Sequence, residues 1–127
     1  MSALLKGFLS ENAVAHELIA RNFEIYKPVI DIYGSDFVIW KNNIFYKVQV
    51  KSASQLDNTK YTFNMQYGGD RKAYESDMVD FFILHLADIN LSYIIPFNDM
   101  NVTKVTLSTN ELCKYNQYKE AWSLLEE

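Results

Sequence analysis

Residues 36–53, DFVIWKNNIFYKVQVKSA, hold two apolar runs joined by Asn42-Asn43, and this segment fixes the geometry of the chain more tightly than any other. Asparagine tolerates positive φ, so an Asn-Asn pair between two strand-like runs reads as a two-residue hairpin turn. Strands over 36–41 and 44–53 then close with Lys41 opposite Ile44. The same register sets Asp36 opposite Gln49 and puts Lys51 two residues along on the same face. The other face carries Phe37, Ile39, Tyr46, Val48 and Val50 and belongs in a core. A slip of one residue would turn every side chain to the wrong face and scatter the polar group.

Directly opposed residues lie roughly 5 Å apart, and diagonal neighbours roughly 7–8 Å. The hairpin therefore gathers Asp36, Gln49 and Lys51 into one patch at the strand ends. Residues 3–22 read as a helix with a stripe of Leu4, Phe8, Glu11, Ala15 and Leu18, with Leu5 and Ile19 at its edge. Glu11 is the polar exception on that sheet-facing stripe, and it reaches the same patch. Two carboxylates, the Gln49 amide oxygen and the Val50 backbone carbonyl are hard oxygen donors that suit Mg²⁺. A lysine beside them orients a water or stabilises charge on a phosphoryl group. Together these groups fit metal-assisted phosphodiester hydrolysis. The bland alternative stands beside it: a lysine on a solvated edge, a glutamine bonded to its neighbours and an aspartate capping the Gly34-Ser35 turn.

The rest of the chain alternates strands with turns. FEIYKPVI is a short strand broken at Pro28, and a turn with Gly34 follows at 31–35. KYTFNM is a further strand, and 65–79 a polar loop around Gly68-Gly69 with one helical turn after it. DFFILHL is apolar on both faces, as a central strand requires, and LSYIIPF is its neighbour. Ser108-Thr109-Asn110-Glu111 has the capping-box spacing and predicts a final helix with a stripe of Leu112, Tyr115, Tyr118, Trp122 and Leu125. The expected fold is one α+β domain over 1–127, a mixed sheet flanked by helices.

Composition limits the partners. Apolar residues are 49 % of 127, enough for a core. Cys113 is the single cysteine, which excludes an internal disulfide and a thiolate zinc site. No apolar run nears the roughly 20 residues of a membrane span, and Lys6 and Glu11 interrupt the N-terminal apolar stretch of a would-be signal peptide. A cytoplasmic protein without membrane contact is expected. Net charge is −4, yet residues 41–72 carry +4 while 1–40 carry −2 and 73–127 carry −6. A basic middle suits a polyanion whatever the total. Its Lys60, Arg71 and Lys72 flank the Gly-Gly loop and are the DNA-contact candidates, with Lys47 further along the polar hairpin face. Arg71 either reads guanine or pairs with Asp70 or Glu75; Lys47 either meets phosphate or is solvated. A loop or ribbon from 56–72 could lie in a groove. His16 and His85 are too isolated for a metal pair, and Asp80 caps a strand.

The order Glu11, Asp36, then Gln49-Val50-Lys51 resembles the PD-(D/E)XK nuclease superfamily, in which an aspartate at a strand start precedes a (D/E)XK triplet across a hairpin. KGFLSENAVAHEL, PVIDIYGSDFVIWKNN and YKVQVKSAS together resemble bacterial group I intron-encoded homing endonucleases of this type, which carry a QXK variant. The resemblance implies a restriction-endonuclease-like core and a site-specific double-strand DNA endonuclease that promotes intron homing. It implies Glu11, Asp36, Gln49 and Lys51 as the catalytic set, Mg²⁺ held by Asp36, Glu11, Gln49 and Val50, no organic cofactor, and a homotetramer with two subunits per DNA. Gln49 stands where the superfamily more often has an acid, which implies weaker cation affinity there. A Holliday-junction resolvase and a non-catalytic DNA-binding module on the same scaffold are the alternatives.

Overall fold

The computed structural model describes residues 1–32, 35–53, 60–68 and 70–127. Helix α1 (Ala3–Ala20) is capped by Ser2, whose hydroxyl accepts the Leu5 N–H at 3.2 Å. It ends where Asn22 turns left-handed at φ 70°. There Phe23 N–H reaches the Leu18 carbonyl and Asn22 N–H the Ile19 carbonyl, both at 3.0 Å, in the Schellman pattern.

Strands β1 (Glu24–Tyr26), β2 (Phe37–Lys41), β3 (Ile44–Ala53), β7 (Phe81–Leu86) and β8 (Leu91–Pro96) form one sheet in that spatial order. Only β3 and β7 run parallel. Asn42 and Asn43 both have positive φ, 52° and 67°, as the hairpin turn requires, and Lys41 pairs with Ile44 as expected. All six residues of β7 are buried, because both faces of the sheet are covered. On one face α1 sends Val14 and Leu18 against Phe37, Val48, Val50 and Ile83, with Trp122 and Leu125 joining from the C-terminus. On the other face a ribbon of β4 (Lys60–Asn64) and β9 (Lys104–Ser108) sends Tyr61, Phe63, Val105 and Leu107 onto Phe82, Leu84, Leu86 and Tyr93. A second ribbon, β5 (Gln66–Tyr67) with β6 (Lys72–Ala73), lies between them in sequence.

Three expectations need correction. The C-terminal helix does not form: the segment is turns and two 3-10 stretches, Asn116–Tyr118 and Trp122–Glu126. Ser108 Oγ accepts the Asn110 N–H at 3.2 Å and Asn110 Oδ1 the Leu112 N–H at 2.9 Å, so these side chains close local turns and do not cap a helix. Leu112 is 92 % exposed, while Tyr115, Trp122 and Leu125 are buried as the stripe proposed. The stripe of α1 is also shifted. Ser10, Val14 and Leu18 are its buried residues, and Leu4 and Phe8 are exposed because the first two turns run past the packed core. Finally, a short β-ribbon, Gln66–Tyr67 against Lys72–Ala73, stands inside 65–79 where a loop was expected, and a single turn closed by the Met78 N–H on the Glu75 carbonyl at 3.0 Å follows it. The part of the proposed groove element that falls in 54–59 lies outside the described residues, as do the Gly34 and Gly69 positions.

Candidate active site

The expected cluster converges at the C-terminal half of β3. The ladder between β2 and β3 stops at Phe37–Val48, one residue short of Asp36 and Gln49. Asp36 donates its N–H to the Val48 carbonyl at 3.0 Å, and its carboxylate Oδ2 accepts the Val50 N–H at 2.9 Å. The side chain thus takes over the next hydrogen bond of the ladder and is fixed against the central residue of the QVK triplet.

Helix α1 packs its Val14 and Leu18 with Val48 and Val50, and Glu11 of the same helix hydrogen-bonds Asp36. Burial, first, and then this bond raise the Asp36 carboxyl from 3.8 to about 8, against the opposing pull of the Val50 N–H. Two carboxylates so close in a partly desolvated site repel each other, and a cation between them would relieve that repulsion. Glu11, Asp36, Gln49 and Val50 line one cavity of about 620 Å³, with Leu4, Leu5 and Phe8 of α1 on its rim side.

Gln49 is buried, and its Nε2 makes a long 3.4 Å contact to the Val50 carbonyl. Its Oε1 is buried and has no hydrogen-bond partner among the described residues. Buried polar atoms are nearly always paired, so an orphaned amide oxygen on a residue that lines the same cavity as Asp36 and Glu11 is an observation in favour of a cation site. Among the described residues no group of three His, Cys, Asp or Glu converges. The donor set is instead two carboxylates, an amide oxygen and a carbonyl, which fits a hard divalent ion that keeps several waters.

Lys51 lines an adjoining recess with Gln49, Val50 and Lys6. Its ammonium donates to the Gln66 carbonyl at 2.9 Å and sits 4.9 Å from the Tyr74 ring centre. Burial lowers its pKa, and Asp36 opposes that shift. Tyr74 is raised by burial and then by the Asp36 charge. Sequence reasoning missed both Gln66 and Tyr74; they lie in the segment taken for a polar loop, and only the β5–β6 ribbon brings them to Lys51.

The basic candidates do not gather in one place. Lys47 is exposed, but its ammonium donates to the Asp77 carbonyl at 2.7 Å, and its N–H to Asp80 Oδ2 at 2.8 Å. Asp80 thereby has the capping role expected of it. Lys72 pairs with Asp70 at 3.4 Å on the surface. Arg71, in a left-handed backbone at φ 53°, lines a cavity with Thr62, Asn64, Gln66, Thr103 and Lys104. Lys60 stands at the far end of the β4–β9 ribbon, paired in register with Ser108.

His16 is exposed, and His85 is buried in a polar chain. Its Nδ1 lies 2.7 Å from Ser10 Oγ, and Ser10 Oγ lies 2.7 Å from Ser52 Oγ. On the other side Nε2 donates to Asn90 Oδ1 at 2.8 Å. The chain ties α1, one residue before Glu11, to β3, one residue after Lys51.

Among curated proteins, no relative matches the chain. Its fold is similar to that of a bacterial homing endonuclease, I-Ssp6803I, with a TM-score of 0.82 at 23% sequence identity, over 98% of this chain and 91% of that one. The family model described as PD-(D/E)XK endonuclease matches residues 1–125. Nucleases of that family generally use divalent metal ions and act on DNA. The convergence of Glu11, Asp36, Gln49 and Lys51 and the match along the chain agree: the protein belongs to the PD-(D/E)XK endonuclease family.

Proposed function

We propose that this chain is a homing endonuclease that cuts both strands of duplex DNA at a specific site, uses Mg²⁺, and works as a homotetramer to promote intron homing. The observation that carries the reading is Gln49, whose Oε1 is unpartnered among the described residues, lining one cavity with the Asp36–Glu11 pair, with Lys51 in the adjoining recess. The likeness to I-Ssp6803I supports the homing role.

Asp36, Glu11, Gln49 Oε1 and the Val50 carbonyl would hold the ion. When bound, it supplies Lewis-acid stabilisation of the charge that develops on the phosphate and lowers the pKa of attached water. The chain's own contribution is positioning. The Val50 N–H fixes Asp36, and the Gln66 carbonyl and Tyr74 ring aim Lys51. Lys51 gives a fixed positive charge at the scissile phosphate, and its lowered pKa brings proton exchange with a nearby water closer to neutral pH.

The test incubates the protein with linear duplexes carrying uninterrupted intron-insertion sequences and with four-way junctions, in Mg²⁺ or with chelator. Metal-dependent cleavage of one linear site at fixed positions is the expected result. Cleavage confined to junctions would make it a resolvase. Binding without cleavage of any DNA would make it a non-catalytic module and overturn the proposal.

A further inference from the structure

We infer that the outward face of the β4–β9 ribbon reads DNA bases in the major groove, with a guanine preference at the end nearest the catalytic lysine. The inference rests on the DNA endonuclease reading above and goes beyond it to the residues that select the site.

The ribbon has two unlike faces. Tyr61, Phe63, Val105 and Leu107 are buried against the sheet. The alternate residues point away from it and form three cross-strand pairs, Lys60–Ser108, Thr62–Thr106 and Asn64–Lys104. These six side chains include no carboxylate and no large apolar group, although the chain as a whole is acidic at net −4. Such a surface is complementary to a polyanion and is too hydrated to serve as a protein core contact.

Its dimensions suit a duplex. Two strands lie roughly 4.8 Å apart, and a groove roughly 12 Å wide admits a two-stranded ribbon. Successive outward pairs are roughly 6.7 Å apart, about two base steps. Three pairs therefore follow about four or five base pairs.

The hydrogen-bond state of each pair sets what it reads. Asn64 Oδ1 already accepts the Gln66 N–H at 3.1 Å, which ties that oxygen to its own strand and leaves Nδ2 as the atom that donates outward. That disfavours the two-point contact to adenine, which needs both amide atoms turned toward one base. Lys104 opposite it is also a donor. Two adjacent donors match the O6 and N7 acceptors of guanine. The Thr62 and Thr106 hydroxyls lie 3.3 Å from each other, leaving their methyl groups for apolar contact, as with the thymine methyl. The ribbon is also continuous with the active site. Gln66, which engages Asn64 through its N–H, accepts Lys51 Nζ through its carbonyl at 2.9 Å. Arg71 stands in the same cavity as Asn64 and Lys104, where a guanidinium can hold the flanking phosphate.

The experiment selects bound duplexes from a randomised library in Ca²⁺. It compares the full chain with two double variants, Asn64→Ala/Lys104→Ala and Thr62→Ala/Thr106→Ala, all on the exposed ribbon surface. The wild type is expected to enrich a motif containing guanine. The first variant is expected to lose preference at that guanine by on the order of tenfold, and the second to lose it at neighbouring positions only. Both variants returning the wild-type motif unchanged would overturn the inference, as would a wild type that cuts DNA without any preferred block. A wild type that neither binds nor cuts DNA overturns the nuclease reading and this one with it.

Discussion

The Asp36 carboxylate accepts the backbone N–H of Val50 at 2.9 Å, so the acid at the strand start is fixed to the middle of the QVK triplet before any ligand arrives. Glu11 hydrogen-bonds the same side chain, and burial together with this bond raises the Asp36 carboxyl to about 8.

The pH dependence of stability follows from that pair. In the unfolded chain Asp36 releases its proton near 3.8, and in the folded chain it holds it to about 8. Between those values the folded state binds the extra proton, so metal-free stability falls as pH rises across the window and levels off above it. The drop should be on the order of a few kcal/mol. Urea unfolding at pH 5 and pH 9 measures it. Asp36→Asn should flatten the profile, and Mg²⁺ should stabilise the wild type more at pH 9 than at pH 5. An unchanged slope in Asp36→Asn would assign the drop to other groups.

Gln49 sets stability against function. Its buried Oε1 has no partner among the described residues, and an unmet buried acceptor costs about 1–3 kcal/mol. Gln49→Met keeps the shape and removes the orphan. Thermal unfolding should therefore occur several degrees higher, while metal-dependent cleavage falls. A variant that is less stable and still fully active would mean that Oε1 is paired in the working protein.

How much of this was legible in the sequence depended on how local the cause was. Asn42-Asn43 dictates its own turn, and the register that joins Asp36 to the triplet follows from it. The 3–22 bounds of the first helix came close for a similar reason, since Asn22 takes the left-handed turn at φ 70° that ends α1. The C-terminal helix was misread because Ser108 and Asn110 satisfy a capping pattern in sequence while their oxygens close turns in the fold. Further along, Glu120 adopts φ 51° and accepts the Ser92 N–H at 3.1 Å, a tertiary contact that no spacing announces. β9 did carry a signal, the alternation of Val105 and Leu107, but an apolar pair in five residues is weak evidence alone. Gln66 and Tyr74 could not be found, since their role exists only once Lys51 crosses to their ribbon.

Lys51 should be needed for chemistry and dispensable for DNA binding. Lys51→Ala and Asp36→Ala are expected to reduce cleavage by at least on the order of 100-fold with duplex affinity retained. Gel-shift and cleavage assays on the same duplex separate the two. Lys51→Arg should fail to restore activity, because a guanidinium spreads its charge over a larger planar group than the ammonium that fits between the Tyr74 ring and the Gln66 carbonyl, and it does not give up a proton near neutral pH. Wild-type rates in either alanine variant would remove these residues from the reaction.

The His85 chain gives a prediction about the scaffold. His85 joins Ser10 on α1 to Asn90 beyond β7, and Ser10 in turn meets Ser52 on β3. His85→Leu fills the space yet leaves the buried Ser10 hydroxyl with one fewer partner, which should cost about 1–3 kcal/mol in denaturant unfolding. The double variant Ser10→Ala/His85→Leu removes the stranded hydroxyl together with the ring, and should be more stable than His85→Leu alone. Ser52 lies at the margin of the core and can turn to water, so its loss of Ser10 is the smaller effect. If the double variant is instead the weaker of the two, the bonds are not acting as a unit, and the hold of α1 on the catalytic strand comes from Val14 and Leu18 packing alone.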